Sequence, residues 1–363
     1  MTFYDVAIVG AGIAGASLAA ALAPDARVLL LEMEDHPGHH ATGRSAAFWS
    51  ETYGGPLVQP LTTASRAWFD ARGLLVPRGA LYLARADDAA ALDAFVAGFA
   101  GSNVVLERWP RGRAAALLPT LAPEWDRALW EPSCTDIDVA AAHQAFLSGA
   151  RRAGATIVCR APLRLARRAG DWTLAAGDAE YRAAVLVNAA GAWADQVAAL
   201  AGVPPIGVRA YRRTVVQLAV DPPAAAALPL VLDLAGTFYF KPEAGGRLWL
   251  SPHDETPDAP GDVAADEYDV ALAIDRFTRA TGWAVTRVER RWAGLRSFAP
   301  DRLPVYGFDP ACPGFFWCAG QGGFGIQTAP AAAALAAALL RGEPPREVDP
   351  APYLPGRFRP RTA

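Results

Sequence analysis

The stretch that decides the fold runs from Ala7 to Glu32 and reads AIVGAGIAGASLAAALAPDARVLLLE. An apolar strand passes into Gly10, Gly12 and Gly15, which have the G-x-G-x-x-G spacing, and an alanine-rich helix follows. The first glycine permits a tight turn, the second lets the backbone approach a pyrophosphate, and the third lets the helix lie close to the sheet. The N-terminal amides of such a helix face bound phosphates. The stretch therefore predicts a dinucleotide-binding unit, and NAD and FAD both fit it.

Glu32 ends the second apolar run of this stretch. An acidic side chain at that position can accept hydrogen bonds from both ribose hydroxyls of a dinucleotide. A G-x-G-x-x-G spacing alone is also found in ordinary tight turns of α/β domains. The order of strand, glycines, helix, strand and acid is more specific, and it favours the nucleotide-binding interpretation.

Length and charge limit the classes of protein that this chain can represent. Its 363 residues suggest about two domains, and a formal net charge of -3 offers no basic face for nucleic acid. The longest alanine-leucine run, Ala329 to Leu340, is shorter than the ~18–20 apolar residues that span a bilayer. The first residues lack the basic region and cleavage site of a signal peptide. We therefore predict a soluble, cytoplasmic protein without a nucleic-acid partner or a transmembrane segment.

The cysteines and the clustered histidines do not have the spacing of metal ligands. No C-x-x-C pair occurs among the cysteines, which we interpret as reduced thiols: Cys134, Cys159, Cys312 and Cys318. The clustered histidines lack the helical i, i+4 spacing of a metal pair: His36, His39 and His40. We predict no metal site.

Two later stretches have the same strand, glycine turn and helix as the opening unit. The first, Tyr181 to Gly202, turns at Ala190-Gly191, and the second, Phe315 to Leu340, has Pro330 in the first turn of its helix. Such crossovers suit one parallel sheet. The nucleotide-binding domain is therefore expected to be assembled from the beginning, the middle and the end of the chain.

The segments between these pieces have the β-branched and aromatic content of strands. Leu81 to Leu83 and Tyr211 to Val220 read as strands, and Thr237 to Pro252 reads as a hairpin around Ala244-Gly245-Gly246. These segments predict an antiparallel sheet in a second domain. We expect the substrate to lie between the two domains.

Five blocks spread in order along the chain resemble the FAD-dependent D-amino acid oxidase superfamily. The resemblance is to the branch with glycine oxidase, sarcosine oxidase and D-amino acid dehydrogenases, and it is closest to the bacterial D-arginine dehydrogenase type. The blocks are the N-terminal glycine stretch, PGHHATGRSAAFWSETYG (Pro37 to Gly54), AAVLVNAAGAWAD (Ala183 to Asp195), WAGLRSF (Trp292 to Phe298) and AGQGGFGIQT (Ala319 to Thr328).

This resemblance implies a mixed α/β fold with FAD as the cofactor. A Rossmann-like FAD-binding domain with a parallel sheet would comprise residues 1–52, 134–205 and 292–363. A substrate-binding domain with an antiparallel sheet would comprise residues 53–133 and 206–291. Cys312 and Cys318 lie outside any block that attaches flavin covalently, so FAD is expected to be noncovalent.

The resemblance also implies which residues contact FAD. The segment from Ala41 to Phe48 would wrap the pyrophosphate and the flavin edge, and the last glycine loop would run beneath the pyrimidine end of the isoalloxazine. Backbone amides and a helix N-terminus there would stabilise the negative charge of reduced flavin. The residues expected to bind the cofactor are Gly10, Gly12, Ala14, Gly15, Glu32, Met33, Ala41, Thr42, Gly43, Arg44, Ser45, Ala46, Pro162, Ala190, Gly191, Trp193, Gly322, Gly323, Phe324, Gly325, Ile326, Gln327 and Thr328.

Oxidation of an amino acid requires a group that holds its carboxylate, and arginine suits this role because its planar fork can donate two hydrogen bonds. Arg296 in WAGLRSF matches the family's clamp, and Arg213 matches a second arginine, with Arg212 as the alternative after a one-residue slip. The residues that the resemblance assigns to catalysis are Tyr53, Arg213, Tyr239, Arg296, Gly323 and Gln327.

No histidine or carboxylate occupies a motif position that demands a general base. We therefore predict direct hydride transfer from the substrate Cα to flavin N5, with the amine proton lost to solvent on or before binding. The product would be an imino acid that hydrolyses to a 2-oxo acid and ammonia.

The residues expected in the substrate pocket differ from those of the arginine-specific relative. Phe48 and Trp49 stand where that enzyme has His and Tyr, and Ala80 stands where it has an acidic residue. A cationic side chain would be poorly paired without that acid, so we predict neutral, apolar or aromatic D-amino acids as substrates. Trp249 replaces the lysine with which sarcosine oxidase promotes oxygen reaction, which favours a dehydrogenase and leaves quinone, dye or oxygen as the acceptor.

Three alternatives stay open at this point. The same clamp could serve a secondary or cyclic amino acid or a 2-hydroxy acid. A non-catalytic flavin-binding protein would need no clamp. An NAD-linked reductase would be colourless.

Overall fold

The computed structural model describes residues 2–358; Met1 and residues 359–363, the latter part of the expected 292–363 segment, lie outside the described residues. The strands of the described part are, in chain order, β1 (Phe3–Val9), β2 (Val28–Leu31), β3 (Phe48–Trp49), β4 (Leu75–Pro77), β5 (Ala80–Ala84), β6 (Glu107–Pro110), β7 (Arg127–Glu131), β8 (Thr135–Ile137), β9 (Thr156–Val158), β10 (Leu163–Ala169), β11 (Asp171–Ala176), β12 (Ala179–Asn188), β13 (Arg209–Asp221), β14 (Leu230–Asp233), β15 (Tyr239–Glu243), β16 (Arg247–Ser251), β17 (Thr256–Pro257), β18 (Ala284–Phe298), β19 (Val305–Phe308), β20 (Phe315–Ala319) and β21 (Gln321–Gly322).

The α-helices of the described part are α1 (Ile13–Leu22), α2 (Gln59–Asp70), α3 (Ala89–Gly98), α4 (Arg111–Leu117), α5 (Val139–Arg152), α6 (Ala194–Leu200), α7 (Glu267–Thr281) and α8 (Gly325–Arg341). Short 3-10 turns cover Ala86–Asp88, Gly191–Trp193, Ala351–Tyr353 and Pro355–Phe358. Within residues 2–358, none of the helices has both the length and the apolar character needed to cross a membrane.

The first sheet is built around the strands that the glycine turns follow. Its order is β10-β11-β12-β1-β2-β9, and β20 joins it beside β12. The strands β12, β1, β2 and β9 run parallel, as does β20 with β12. Because β1, β12 and β20 run the same way, the turns that follow them meet at one edge of the sheet. This confirms the crossovers expected from the three glycine turns.

Helix α1 packs closely on the first sheet because Gly15 has no side chain. A Cβ at this position would overlap the carbonyl oxygen of Gly10. The helix also packs against α5 and α8. Its buried face joins one core with residues from the sheet and from both neighbouring helices, among them Ile8, Leu18, Leu30, Phe146 and Ala336.

The second sheet carries most of the aromatic segments. Its order is β21-β18-β13-β16-β15-β14-β5-β7-β6, with β17 beside β13. The predicted hairpin is confirmed as the antiparallel pair of β15 and β16. The sheet is antiparallel except between β14 and β5, which run parallel. The mixed α/β fold with one largely parallel and one largely antiparallel sheet is therefore confirmed.

One strand crosses the boundary expected at residue 292. β18 is continuous from Ala284 to Phe298 and pairs along its length with β13 in the second sheet. The WAGLRSF block therefore belongs to the second sheet by its hydrogen bonds. A small third sheet, β3-β8-β4, combines strands from chain segments assigned to both expected domains.

Candidate active site

The turn after β1 forms an open cradle at the N-terminus of α1. Gly10 has φ of +100°, and a Cβ there would lie 2.5 Å from the carbonyl oxygen of Ala189. At Gly12 a Cβ would meet only the Thr42 Oγ1, 3.3 Å away. The same hydroxyl accepts a hydrogen bond of 2.9 Å from the backbone N–H of Ile13. The positive end of the helix thus faces open space beside Thr42, which suits a phosphate group.

Glu32 stands at the end of β2 with hydrogen-bonding capacity to spare. Its Oε2 accepts from the backbone N–H of Ala11 and its Oε1 from that of Glu34, both at 3.0 Å. A carboxylate has about four lone-pair sites, so two acceptor sites remain. Glu32 lines the same cavity as the cradle, together with Met33. The acidic group is therefore available to ribose hydroxyls.

One cavity runs from this cradle to the second sheet, and most of the residues expected to bind the cofactor line it. The lining residues among them are Gly10, Gly12, Ala14, Glu32, Met33, Ala41, Thr42, Arg44, Ser45, Ala46, Pro162, Ala190, Gly191, Trp193, Gly322, Gly323, Gly325 and Ile326. The others lie behind this layer. Gly15 is within α1 and faces the carbonyl oxygen of Gly10, Gly43 lies against Gly38, and Phe324, Gln327 and Thr328 are buried at the start of α8.

At its other end the cavity is lined by side chains of three strands in the second sheet. Arg213 projects from β13, Tyr239 from β15 and Arg296 from β18. The glycine loop closes this end, and a Cβ on Gly323 would overlap the Tyr53 hydroxyl and lie 2.9 Å from Cζ of Arg296. The structure therefore brings together five of the six residues that the sequence assigns to catalysis.

The Arg213 guanidinium is buried and incompletely paired. Its Nε donates to the carbonyl oxygen of Asp254 at 2.8 Å and its Nη2 donates to Oε1 of Glu255 at 3.1 Å. Its Nη1 is buried without a hydrogen-bond partner. Burial, with the nearby positive charge of Arg296, lowers the pKa of Arg213 to about 10, so the guanidinium is still ionised at pH 7. A buried donor without an acceptor is costly, and an anionic ligand would supply one.

The Arg296 guanidinium has no ion pair or side-chain hydrogen bond with any residue in the 2–358 range. Its Cζ lies 5.8 Å from the centre of the Tyr53 ring. Two arginines that line one end of a cavity, one of them without a carboxylate partner among residues 2–358, form a candidate site for an anion. A planar carboxylate matches the donor fork of arginine.

A hydrophobic cluster packs beside Tyr53 and Tyr239 at the arginine end of the cavity. Phe48 lies 5.1 Å from Tyr53 and 6.1 Å from Tyr239, measured between ring centres. The surrounding cluster is buried and contains Ala80, Tyr82, Leu129, Cys134, Leu230 and Leu232. Ala80 is fully buried within it, and neither Ala80 nor Phe48 is among the residues that line the first cavity.

Other residues singled out in the sequence lie elsewhere. Trp49 is on the opposite side of β3 from Phe48, because successive side chains of a strand point to opposite faces; it lies in the core of the first sheet and donates to the carbonyl oxygen of Thr62. Trp249 lines a second cavity of about 830 Å³ beside Lys241. Arg212, the alternative to Arg213, pairs with Asp269 at 2.9 Å and does not line the first cavity.

Gln327 is also outside the cavity, since it is 1% exposed and all of its contacts are internal. Its Nε2 donates to the carbonyl oxygen of Tyr53 at 3.0 Å and to Thr62, and its Oε1 accepts from the N–H of Ser50. It therefore holds the Tyr53 segment rather than facing a ligand. His253, whose Nδ1 lies 2.7 Å from the carbonyl oxygen of Gly236, stacks edge-on against Tyr239.

The structure adds contacts that the sequence does not reveal. Glu131, in a strand with no motif, lies beneath the Tyr53 segment and accepts hydrogen bonds from it. Asp262, far along the chain, forms an ion pair with Arg44 and lies 3.4 Å from Nε2 of His39. His40 lies 2.8 Å from Glu34, so these histidines pair with carboxylates of the chain itself.

Neither expected candidate for covalent flavin attachment lines the cavity. Cys318 is buried, and burial raises the pKa of its thiol to about 12. Cys312 is partly buried, which also raises its pKa. Both thiols are therefore poor nucleophiles at neutral pH, and noncovalent binding remains our prediction.

The nucleotide-binding sheet and the largely antiparallel sheet share one cavity, which has a glycine cradle at one end and two arginines at the other. These features define a dinucleotide-dependent oxidoreductase. Residues 5–339 match the DAO family, described as FAD dependent oxidoreductase, and the chain belongs to this family. The cofactor is therefore FAD. The residues present fit it, because Gly12 leaves room for the pyrophosphate and Glu32 keeps free acceptors for the ribose.

Among curated proteins, the chain is 29% identical to FAD-dependent oxidoreductase domain-containing protein 1 of Bos taurus, over 48% of this chain and 39% of the relative. It is 29% identical to glycine oxidase of Pseudomonas aeruginosa, over 48% of this chain and 46% of the relative. The matched regions thus span less than half the length of both relatives.

Solved structures cover nearly the whole chain. Glycine oxidase from Geobacillus kaustophilus is 25% identical and superimposes with a TM-score of 0.84 over 98% of both chains. L-proline dehydrogenase from P. horikoshii is 20% identical, with a TM-score of 0.86 over 98% of this chain and 97% of the other. The second likeness concerns the fold alone.

Proposed function

We propose that this protein oxidises a free α-amino acid, which it holds by the carboxylate with Arg213 and Arg296. The single observation that carries the proposal is the pair of guanidinium groups at one end of the FAD cavity. Arg213 has a buried Nη1 without a partner, and Arg296 has no carboxylate partner within residues 2–358. A substrate carboxylate would satisfy both and would offset the repulsion between them.

The residues around this anion site orient the substrate. The Tyr53 hydroxyl lies next to the Arg296 guanidinium at Gly323, and Tyr239 lines the same end. Both hydroxyls can donate to a carboxylate oxygen. FAD, when bound, supplies the two-electron acceptor for the Cα hydrogen. A substrate fixed at its carboxylate has few remaining orientations, which is how positioning lowers the barrier.

Among residues 2–358, no histidine or carboxylate lines this end of the cavity. Of the described residues that line the cavity, the only carboxylate is Glu32, at the ribose end. Asp254 and Glu255, near Arg213, are engaged by Arg213 and by Thr214. The substrate amine would therefore lose its proton to solvent on or before binding, as the sequence predicts.

The hydrophobic cluster next to the anion site favours a neutral side chain. We expect the substrate side chain to contact the hydrophobic cluster, whose residues are apolar or aromatic and in which Ala80 provides no charge. The carboxylate that faces Ala80 across the strand pair, that of Glu131, is fully buried and is occupied by donors of the chain. A cationic side chain would have no free carboxylate there. The D configuration and the kinship with D-arginine dehydrogenase rest on the motif resemblance alone.

A secondary or cyclic amino acid is the second candidate. Dimethylglycine dehydrogenase of Homo sapiens is 31% identical over 33% of this chain but only 14% of the relative, and the arginine pair would hold the carboxylate of such a substrate equally well. The two candidates differ in product, because only a primary amine releases ammonia. A non-catalytic flavoprotein is disfavoured by the unsatisfied arginine donors.

The testing experiment is an anaerobic titration of the purified FAD-loaded protein with separate D- and L-amino acids, followed by bleaching of the flavin absorbance. We expect bleaching by apolar D-amino acids and little by D-arginine. Faster bleaching by D-arginine or D-lysine than by apolar D-amino acids would contradict the prediction that the protein prefers a neutral side chain. Bleaching only by N-methylated or cyclic amino acids would favour the second candidate, and bleaching by none would refute amino acid oxidation. Repeating it in air tests the dehydrogenase prediction, since slow reoxidation is expected.

A further inference from the structure

The segment Ser50–Tyr53, which carries the Tyr53 hydroxyl to the anion site, has no strand or helix partner of its own. It follows β3 as an irregular turn, and its residues are nevertheless almost completely buried up to Thr52. Buried irregular backbone needs hydrogen-bond partners supplied from elsewhere. Those partners decide where Tyr53 stands.

Glu131, at the end of β7, supplies most of them. Its Oε2 accepts from the Ser50 hydroxyl at 2.9 Å and from the Thr52 hydroxyl at 2.6 Å. Its Oε1 accepts from the backbone N–H of Glu51 at 2.7 Å. The side chain is fully buried and has no ion pair with a cation in the described part of the chain. A single carboxylate thus contacts three consecutive residues before Tyr53.

Gln327 holds the opposite side of the same segment. It accepts from the N–H of Ser50 and donates to the carbonyl oxygen of Tyr53. The segment is therefore fixed between β7 of the second sheet and α8, which packs against α1. This arrangement places the Tyr53 hydroxyl close to the Arg296 guanidinium, because a Cβ on Gly323 would contact both groups.

We infer that Glu131 is a positioning residue of the active site, which fixes the Ser50–Tyr53 segment so that the Tyr53 hydroxyl stays beside Arg296 and contributes to carboxylate binding. This inference rests on the proposed function for its ligand. Glu131 itself does not line the cavity, so it would act through the Ser50–Tyr53 segment and not by contact with a ligand.

The chemistry of the carboxylate predicts which substitutions the site tolerates. Burial raises the pKa of Glu131, while the bonds from Thr52, Ser50 and Glu51 act in the opposite direction. In Glu131→Gln the amide oxygen can keep the bond from the N–H of Glu51, and its NH₂ can donate to hydroxyls that rotate to accept. In Glu131→Leu the buried N–H of Glu51 loses its acceptor, and the Ser50 and Thr52 hydroxyls keep only each other and the Tyr82 hydroxyl as partners, which is the costly case.

The experiment compares Glu131→Leu and Glu131→Gln with the wild type and with Asp309→Leu, all FAD-loaded. Asp309 is a matched control: it is 2% exposed, accepts from Trp317 Nε1 at 3.0 Å and lies outside the cavity. The first readout is the Kd for benzoate, a carboxylate without an oxidisable amine, from the change in flavin absorbance. We expect Glu131→Leu to weaken benzoate binding ~10-fold and Glu131→Gln less than ~3-fold. Asp309→Leu should lower Tm without changing this Kd.

A second readout separates positioning from general destabilisation. If Glu131 acts through Tyr53, adding Glu131→Leu to Tyr53→Phe should weaken benzoate binding by less than ~2-fold beyond Tyr53→Phe alone. Full additivity of the two losses, or wild-type affinity in Glu131→Leu, would overturn the inference.

Hydrogen exchange of the peptide that contains residues 50–53 makes the test independent of the ligand. We expect faster exchange in Glu131→Leu, near wild-type exchange in Glu131→Gln, and no change in Asp309→Leu. Unchanged exchange in Glu131→Leu would overturn the inference. If no carboxylate binds even the wild-type protein, the proposed function fails, and the exchange result alone still decides whether Glu131 holds the segment.

Discussion

Replacement of Arg296 by methionine tests the anion site most directly. The side chain has no ion-pair or hydrogen-bond partner among residues 2–358, so its removal breaks no internal ion pair and should leave the fold intact. A hydrogen bond to a charged group contributes about 1.5–3 kcal/mol, which corresponds to roughly 10–150-fold in affinity at 1.4 kcal/mol per factor of ten. Arg296 is partly exposed, and its loss also relieves the repulsion on Arg213. We therefore expect the lower half of this range, about 10–50-fold.

The assay is a benzoate titration of the FAD-loaded variant, combined with the rate of anaerobic flavin reduction by an apolar D-amino acid. Both should fall together, while the affinity for FAD stays within about 2-fold of the wild type because Arg296 acts on the carboxylate. Arg291→Met is the matched control, since Arg291 lies on the same strand, exposed, and pairs with Glu267 at 3.3 Å. Wild-type benzoate affinity in Arg296→Met, or an equal loss in Arg291→Met, would refute the reasoning.

Three further changes should give distinct results. Gly323→Ala places a Cβ against the Tyr53 hydroxyl and Arg296, so kcat/KM measured by flavin reduction should fall by ~10-fold or more with FAD content retained; unchanged kcat/KM would show that the two groups do not act together there. The benzoate Kd should be constant from pH 7 to 9 and rise as the pH passes about 10, because the pKa of Arg213 is lowered to about 10 and a neutral guanidinium attracts no carboxylate; a Kd independent of pH up to 11 would contradict a role for its charge. Glu32→Ala should weaken FAD binding ~10-fold in titrations of the apoprotein, and equal affinity would remove Glu32 from the ribose site.

Local signals allowed the first sheet to be predicted from the sequence. A glycine turn is specified by neighbouring residues, as at Gly10, where a positive φ and the close approach of Ala189 exclude a side chain. The hairpin of β15 and β16 was predictable for the same reason. The continuity of β18 through residue 292 was not, because it depends on pairing with β13, whose residues lie 63 to 89 positions earlier in the chain.

The site was predictable where a motif marks it. Arg296 was predicted from its block and Arg213 from the family resemblance, with Arg212 as the alternative, and the structure brings Arg213 and Arg296 to one cavity. Trp49 was misplaced because adjacent residues in a strand face opposite sides, and the two-residue β3 gives no alternation to set its phase. Glu131 was missed because a buried acid is indistinguishable from a surface acid in a short strand until its partners are known.

The two arginines that we propose bind the substrate carboxylate lie on different strands from the hydrophobic cluster that would contact the substrate side chain. The arginines project from β13 and β18, whereas the cluster is formed mainly by β3, β5, β7 and β14. Mutation can therefore alter which side chain is accepted while the groups that hold the carboxylate keep their places. Related enzymes with this architecture could therefore differ in the amino acid side chain that they prefer. In this protein, substitutions in β5 and β14 would be expected to change the substrate preference without altering the two arginines proposed to hold the carboxylate.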